Sequence, residues 1–176
     1  MNKVLCVIDM QNDFITGPLG TPEAQAIVPK VKEKIENLDD ETYIVFTRDT
    51  HYPDYLDTRE GKMLPVPHCI KSTRGWEIEA SLMEMFADSP LVIDKPTFGS
   101  FDLMRQIEMM YPFKKIDKIE FVGVCTGICV SSNALIARAY FPEAEISIDS
   151  SCCACVSPES HETALKAMEL CQIIIK

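Results

Sequence analysis

At 176 residues, with 47% hydrophobic and 25% charged residues, the chain has enough apolar material for one sizeable core and carries no disorder signature. That length points to a single domain over residues 1–176 rather than two. The net charge of -10 excludes nucleic acid and anionic membrane surfaces as partners, since both would repel the chain, and leaves a small-molecule ligand as the expectation.

The first apolar run, Val4 to Asp9, is closed by an acid far too early for a signal peptide, and no stretch approaches the ~20 apolar residues that span a bilayer. The chain therefore reads as cytosolic. In a reducing compartment its eight cysteines are small core residues, metal ligands or nucleophiles rather than disulfides. After that run, Thr21-Pro22-Glu23 supplies an N-cap, a first-turn proline and an early acid, and Ile27, Val31 and Ile35 recur at four-residue steps, which predicts a helix. A second strand is expected at Tyr43 to Thr47. From Arg48 to Gly75 no period is sustained; three prolines, two histidines and several acids predict a long functional loop. A helix near Trp76 to Phe86, a strand at Leu91 to Asp94 and a helix at Phe101 to Met110 follow. Then come a strand at Glu120 to Val124, a helix at Ile128 to Tyr140 and a strand at Glu145 to Asp149. Ser157-Pro158-Glu159 opens a last helix with Ala164, Leu165 and Met168 on its buried face, and Gln172 to Ile175 forms the final strand. Apolar strands alternating with helices predict an α/β fold, a three-layer, doubly wound sheet of about six parallel strands.

Ligands of such sheets bind beyond the carboxyl ends of the strands, so the residues there carry the functional reading. They are Asp9, then Asp49 and His51, then Lys95, then the turn from Cys125 to Cys129. No glycine-rich dinucleotide fingerprint follows the first strand and no phosphate-binding Gly-Lys-Ser/Thr occurs. Gln11 stands where an aspartyl phosphatase would carry its second acid, which weakens that reading of Asp9. A thiol in the first turn of a helix feels unpaired N–H groups and the positive end of the dipole, so Cys129 is expected as a thiolate, helped by Lys95. Asp9 can take the thiol proton and return one to a leaving amine, and backbone N–H groups of the turn can receive an oxyanion. Taken singly, each of the three is more simply a packed or capping residue; at successive strand ends they form a set.

Four ordered blocks carry a resemblance over nearly the whole chain: Val7-Ile8-Asp9-Met10-Gln11-Asn12-Asp13-Phe14, Lys95-Pro96-Thr97-Phe98-Gly99-Ser100-Phe101, Gly123-Val124-Cys125-Thr126-Gly127-Ile128-Cys129-Val130 and Ser157-Pro158-Glu159-Ser160-His161. They resemble the isochorismatase-like cysteine hydrolases, and among these the nicotinamidase and pyrazinamidase type. The resemblance implies a catalytic triad of Asp9, Lys95 and Cys129, a cis peptide between Val124 and Cys125, and an oxyanion hole from the N–H groups of Cys125 and Cys129. It also implies metal ligands Asp49, His51 and His68, with Glu60 as the fourth and Asp57 as the fallback. Two imidazoles and two carboxylates suit zinc, with manganese or iron as alternatives. The implied reaction is hydrolysis of a small carboxamide, nicotinamide to nicotinate and ammonia, through a thioester; other amide, ureido or vinyl-ether substrates stay open, as do a non-enzymatic module that retains the fold and homo-oligomerisation. Two positions depart from the family: Gly127 replaces a usual Asp, and Leu64 and Pro65 stand where nicotinamidases carry an aromatic, leaving Phe14 and Leu64 as the expected pocket wall. Cys152-Cys153-Ala154-Cys155 lacks a second ligand pair and is read as core or turn packing, and His161 as a structural hydrogen bond. Trp76 and Phe98 are each left as core or pocket wall.

Overall fold

The computed structural model describes residues 1–112 and 114–176. Six strands, β1 (Lys3–Ile8), β2 (Thr42–Asp49), β3 (Leu91–Lys95), β4 (Lys118–Val124), β5 (Glu145–Ala154) and β6 (Ile174–Ile175), form one sheet in the order β3-β2-β1-β4-β5-β6. Every neighbouring pair is parallel. The strand order reverses between β1 and β4, which places the ligand crevice at their carboxyl ends.

The strictly apolar β1 is explained by its central position, because its alternate side chains enter two different cores. Val4, Cys6 and Ile8 pack with Leu103, Met104 and Ile107 of helix α5 (Phe101–Met110) and with α6 (Ser131–Tyr140) and α7 (Pro158–Leu170). Leu5 and Val7 face the other way, against Ala24, Ile27, Val31 and Ile35 of α2 (Pro22–Glu36) and Leu82 of the short α4 (Ala80–Met83). The α2 cap forms as its sequence predicts, with Thr21 Oγ1 accepting from Ala24 N at 3.0 Å. Ser157 caps α7 in the same way and exchanges hydrogen bonds with Ser160.

Four local expectations need correction. The helix expected over Trp76 to Phe86 contracts to Ala80–Met83. Ile78 bridges Gln11, Asn12 N donates to Glu77 O, and Glu79 N donates to Met10 O, so the chain is held extended just past β1 and a helix cannot start there. The loop from Arg48 to Gly75 carries helix α3 (Arg59–Met63) after a 3₁₀ turn at Tyr55–Asp57, and a one-turn helix α1 (Asn12–Ile15) follows β1. Strand β5 runs on through Cys152 and Cys153 to Ala154 after a register shift opposite Phe121 and Gly123, so those two cysteines are in the buried end of a strand and Cys155 is buried just beyond it. Strand β6 keeps only Ile174 and Ile175 of the expected four residues.

Candidate active site

Two residues shape the end of β1 from opposite sides. Gly123 of β4 sits at φ +115 with no room for a Cβ, which would lie 2.1 Å from Ile8 O, so β4 can press against the turn after β1. Asp9 itself lies at φ 49 and turns its carboxylate inward, where Thr47 Oγ1 donates to Oδ1 at 2.6 Å. The other oxygen, Oδ2, lies 2.6 Å from Lys95 Nζ as an ion pair, yet no donor meets it at hydrogen-bonding angle. Lys95 Nζ also stands 3.5 Å from Cys129 Sγ and 3.5 Å from Asp49 Oδ1, and donates to Thr97 O at 3.2 Å. Asp9 and Lys95 are wholly buried and Cys129 is 5% exposed. The three strand-end residues singled out from sequence therefore meet around one ammonium.

Cys129 belongs to a π-helical turn, Thr126–Val130, that runs straight into α6. The Val124–Cys125 peptide preceding the turn is cis, as the resemblance implies. Thr126 Oγ1 and His161 Nδ1 lie 2.8 Å apart and tie the turn to α7, which is the structural bond expected of His161.

Asp49 links this triad to a second cluster. Its Oδ2 lies 3.0 Å from His51 Nε2 and 3.5 Å from His68 Nε2, and Glu60 Oε1 lies 3.6 Å from His51 Nε2. One ligand atom from each of the four falls within 4.8 Å of the others, a spread that one ion can span. His68 Nδ1 faces Val66 O at 2.8 Å, which leaves Nε2 turned toward the cluster. Two imidazoles and two carboxylates fit a borderline divalent ion. Asp57 is exposed and outside the group, whereas Glu60 lies within it.

Both clusters open on one cavity of about 280 Å³. Cys125, Cys129, Asp49, Glu60 and His68 line it together with apolar residues that include Phe14, Leu64, Phe98, Ile128 and Val156. Among the described residues no lysine or arginine lines it.

The isochorismatase domain family matches residues 3–175. The chain belongs to the isochorismatase family. It is 30% identical to an uncharacterized isochorismatase family protein of Bacillus subtilis (strain 168), over 94% of this chain and 93% of that one. Among solved structures it is similar to the pyrazinamidase of Pyrococcus horikoshii in complex with zinc, with a TM-score of 0.81 and 28% identity over 100% of this chain and 99% of that chain. It is also similar to the pyrazinamidase/nicotinamidase of Streptococcus mutans UA159, with a TM-score of 0.86 and 27% identity over 99% of each. The chain is thus an isochorismatase-family amidohydrolase, and a divalent metal is in keeping with both the four-residue group and the zinc-bound neighbour. Among the described residues no helix is long and apolar enough to cross a membrane.

Electrostatics revise one expectation for this amidohydrolase. Burial, then the neighbouring Asp9 carboxylate, push the Cys129 thiol well above its ordinary value, and Lys95 offsets only part of this. Burial thus favours the neutral thiol of Cys129 over the thiolate that the helix end suggested. Burial also raises Asp9, against the pull of Lys95 and with a further push from Asp49, so it is a stronger base than an ordinary carboxylate. Burial pulls Lys95 down, but Asp9, Cys129 and Asp49 outweigh it and the net shift is upward, keeping the ammonium charged.

Several residues of the site were not evident in the sequence. Thr47 and Gln11 hold the strand ends together, and Leu19, Cys155 and Val156 line the cavity. Only the position of Thr47, two residues before Asp49 on the same strand, carried a usable signal. Phe98 is pocket wall, whereas Trp76 is neither core nor wall: its ring lies 3.6 Å beneath the Arg48 guanidinium and its indole N–H donates to Thr50 Oγ1 at 2.8 Å.

Proposed function

We propose that this amidohydrolase cleaves an uncharged heteroaromatic carboxamide, with nicotinamide the leading substrate, to the carboxylate and ammonia. One observation carries the reading: a single cavity joins Cys129 to Asp49, Glu60 and His68 across apolar walls and is lined by no lysine or arginine. A substrate bearing its own carboxylate, such as a ureido acid or the vinyl-ether diacids, would find no lysine or arginine on the wall to pair with it. A flat neutral amide loses little on entering those apolar walls.

Asp9 and Cys129 carry the chemistry. As the carboxamide carbon approaches, the Cys129 thiol passes its proton to Asp9 Oδ2, and the sulfur bonds to carbon. The N–H groups of Cys125 and Cys129 stabilise the oxyanion. Collapse breaks the carbon–nitrogen bond while Asp9 returns the proton, releasing ammonia and leaving a thioester. A water then gives its proton to Asp9 and attacks the thioester, and the acid departs as Cys129 regains its thiol. Lys95 stays protonated throughout and holds Asp9 in place. A zinc ion held by Asp49, His51, Glu60 and His68 would supply a Lewis acid able to bind the ring nitrogen of a pyridine or pyrazine amide.

The test is ammonia release from nicotinamide, pyrazinamide and an N-carbamoyl amino acid, each with and without a chelator. Turnover of the two neutral amides with at least ten times higher kcat/KM than the ureido acid is expected. Preference for the ureido acid would overturn the substrate assignment, and full activity in the metal-stripped protein would overturn the metal's part.

A further inference from the structure

Gln11 takes no part in the chemistry above, yet it is wholly buried and all of its polar atoms are engaged. Its Oε1 accepts from Asp49 N at 2.7 Å, while its Nε2 donates to Asp49 O at 2.9 Å and to Trp76 O at 2.9 Å. The reason lies in the sheet. Strand β1 pairs with β2 only as far as Val7 opposite Phe46 and then turns away at Asp9, so the last residues of β2 lose their backbone partner on that side. A primary amide carries the same donor and acceptor as a peptide unit, and that of Gln11 replaces the missing one. On its other side Asp49 is opposite Lys95 in the ladder with β3. The backbone of Asp49 is therefore clamped from both edges.

That clamp matters because the Asp49 carboxylate is the one group shared by the two clusters. Oδ1 lies 3.5 Å from Lys95 Nζ, and Oδ2 faces both imidazoles at 3.0 and 3.5 Å. A small rotation of the backbone at Asp49 would turn one oxygen away from its partners.

We propose that Gln11 is a positioning residue of the metal centre, whose amide fixes Asp49 so that one oxygen serves the metal cluster while the other stays on Lys95. The proposal rests on the reading of Asp49, His51, Glu60 and His68 as metal ligands. Gln11 acts through Asp49 alone and touches neither the ion nor the substrate. Partners at one remove from a metal ligand set its orientation, and their loss lowers metal affinity by about 10- to 100-fold.

The experiment measures zinc affinity of the full chain by competition with a chelating dye, and the visible spectrum of the cobalt-substituted protein. Gln11→Met keeps the length and volume without polar atoms, and Gln11→Asn keeps the amide but draws it back by one methylene. His68→Ala serves as the ligand control. Expected are a rise of about 10-fold or more in the zinc dissociation constant of both Gln11 variants and an altered cobalt spectrum, in protein that still unfolds cooperatively. If both Gln11 variants keep zinc affinity within about twofold and an unchanged cobalt spectrum while His68→Ala loses affinity, Gln11 is only a structural tie and the proposal fails. If His68→Ala itself leaves zinc affinity unchanged, the ligand assignment beneath the proposal fails instead. Should Gln11→Met not fold, Gln11→Asn decides between the same outcomes.

Discussion

Lys34 and Lys95 each face two carboxylates, and their surroundings set them apart. Lys34 of α2 lies 2.7 Å from Glu120 of β4 and 2.7 Å from Asp149 of β5, with about a fifth of each side chain exposed. There the lysine is raised and both acids are lowered, because their mutual attraction outweighs a partial loss of solvent. Lys95 has Asp9 at 2.6 Å and Asp49 at 3.5 Å, with almost no exposure at any of the three. Here burial comes first, and Asp9 is raised despite an ammonium at contact distance. Asp49, also buried, is instead lowered, because burial there is outweighed by hydrogen bonds to His51 and His68 and by Lys95. Loss of water thus decides the state of Asp9, and the imidazoles decide that of Asp49.

The largest test of that contrast is removal of the groups around Lys95. Cys129→Ala is expected to lower kcat for amide hydrolysis by about 10⁴-fold or more with the fold intact, measured by ammonia release and circular dichroism. Lys95→Met should abolish turnover as well and, unlike Cys129→Ala, destabilise the protein by about 3 to 5 kcal/mol in urea unfolding at neutral pH, because it strands buried carboxylate charge. Adding Asp9→Asn to Lys95→Met should recover part of that stability while activity stays absent. A Lys95→Met protein as stable as wild type would show that the buried pair is not an ion pair in the folded state.

The next effect is on the pH dependence of catalysis. Asp9 must be ionised to accept the thiol proton, so kcat/KM falls as acidity rises through its pKa in the free protein. Burial raises that pKa, and the acid limb should therefore turn at a midpoint above the ordinary carboxylate value of 3.8. Because Asp9, Lys95 and Cys129 interact, the midpoint belongs to the set rather than to one residue. A limb at or below 3.8 in protein that remains folded would place the base elsewhere.

These contrasts bear on what a sequence can disclose. Asp9, Asp49, Lys95 and Cys129 were legible because a parallel sheet sends every strand end to one edge, so strand assignment alone gathers them. Glu60 and His68 were legible only through resemblance, since nothing in the pattern from Arg48 to Gly75 brings those two side chains to the strand end that carries Asp49 and His51. Gln11 was read for what it excludes, because its three partners, on Asp49 and Trp76, lie 38 and 65 residues away along the chain. The helix expected from Trp76 failed for the same cause, a long-range tie of Ile78 to Gln11 that overrides local period. At Cys129 the helix end is visible in sequence, whereas the burial that pushes its thiol up is not.

The smallest predicted effect sharpens the wet half of the comparison. Glu120 and Asp149 have pKa values lowered by folding, with Lys34, and at Glu120 also Lys176, outweighing partial burial. A depressed acid contributes stability that is complete above its unfolded value, 4.5 for Glu120 and 3.8 for Asp149, and is lost as pH falls through the folded value. Lys34 is raised above 10.5, so its share is complete below that value and is lost as pH rises further. Lys34→Met should therefore cost about 1 kcal/mol at pH 7, and the difference from wild type should shrink below about pH 4 as the two acids are protonated. Salt should narrow it as well, since partly exposed charges are screened. Lys95→Met should resist the same salt, because no ion reaches its buried partners. Urea unfolding of both variants at pH 7, with and without 0.5 M salt (roughly a 4 Å screening length), separates the two sites. Equal salt sensitivity would mean that burial does not distinguish them.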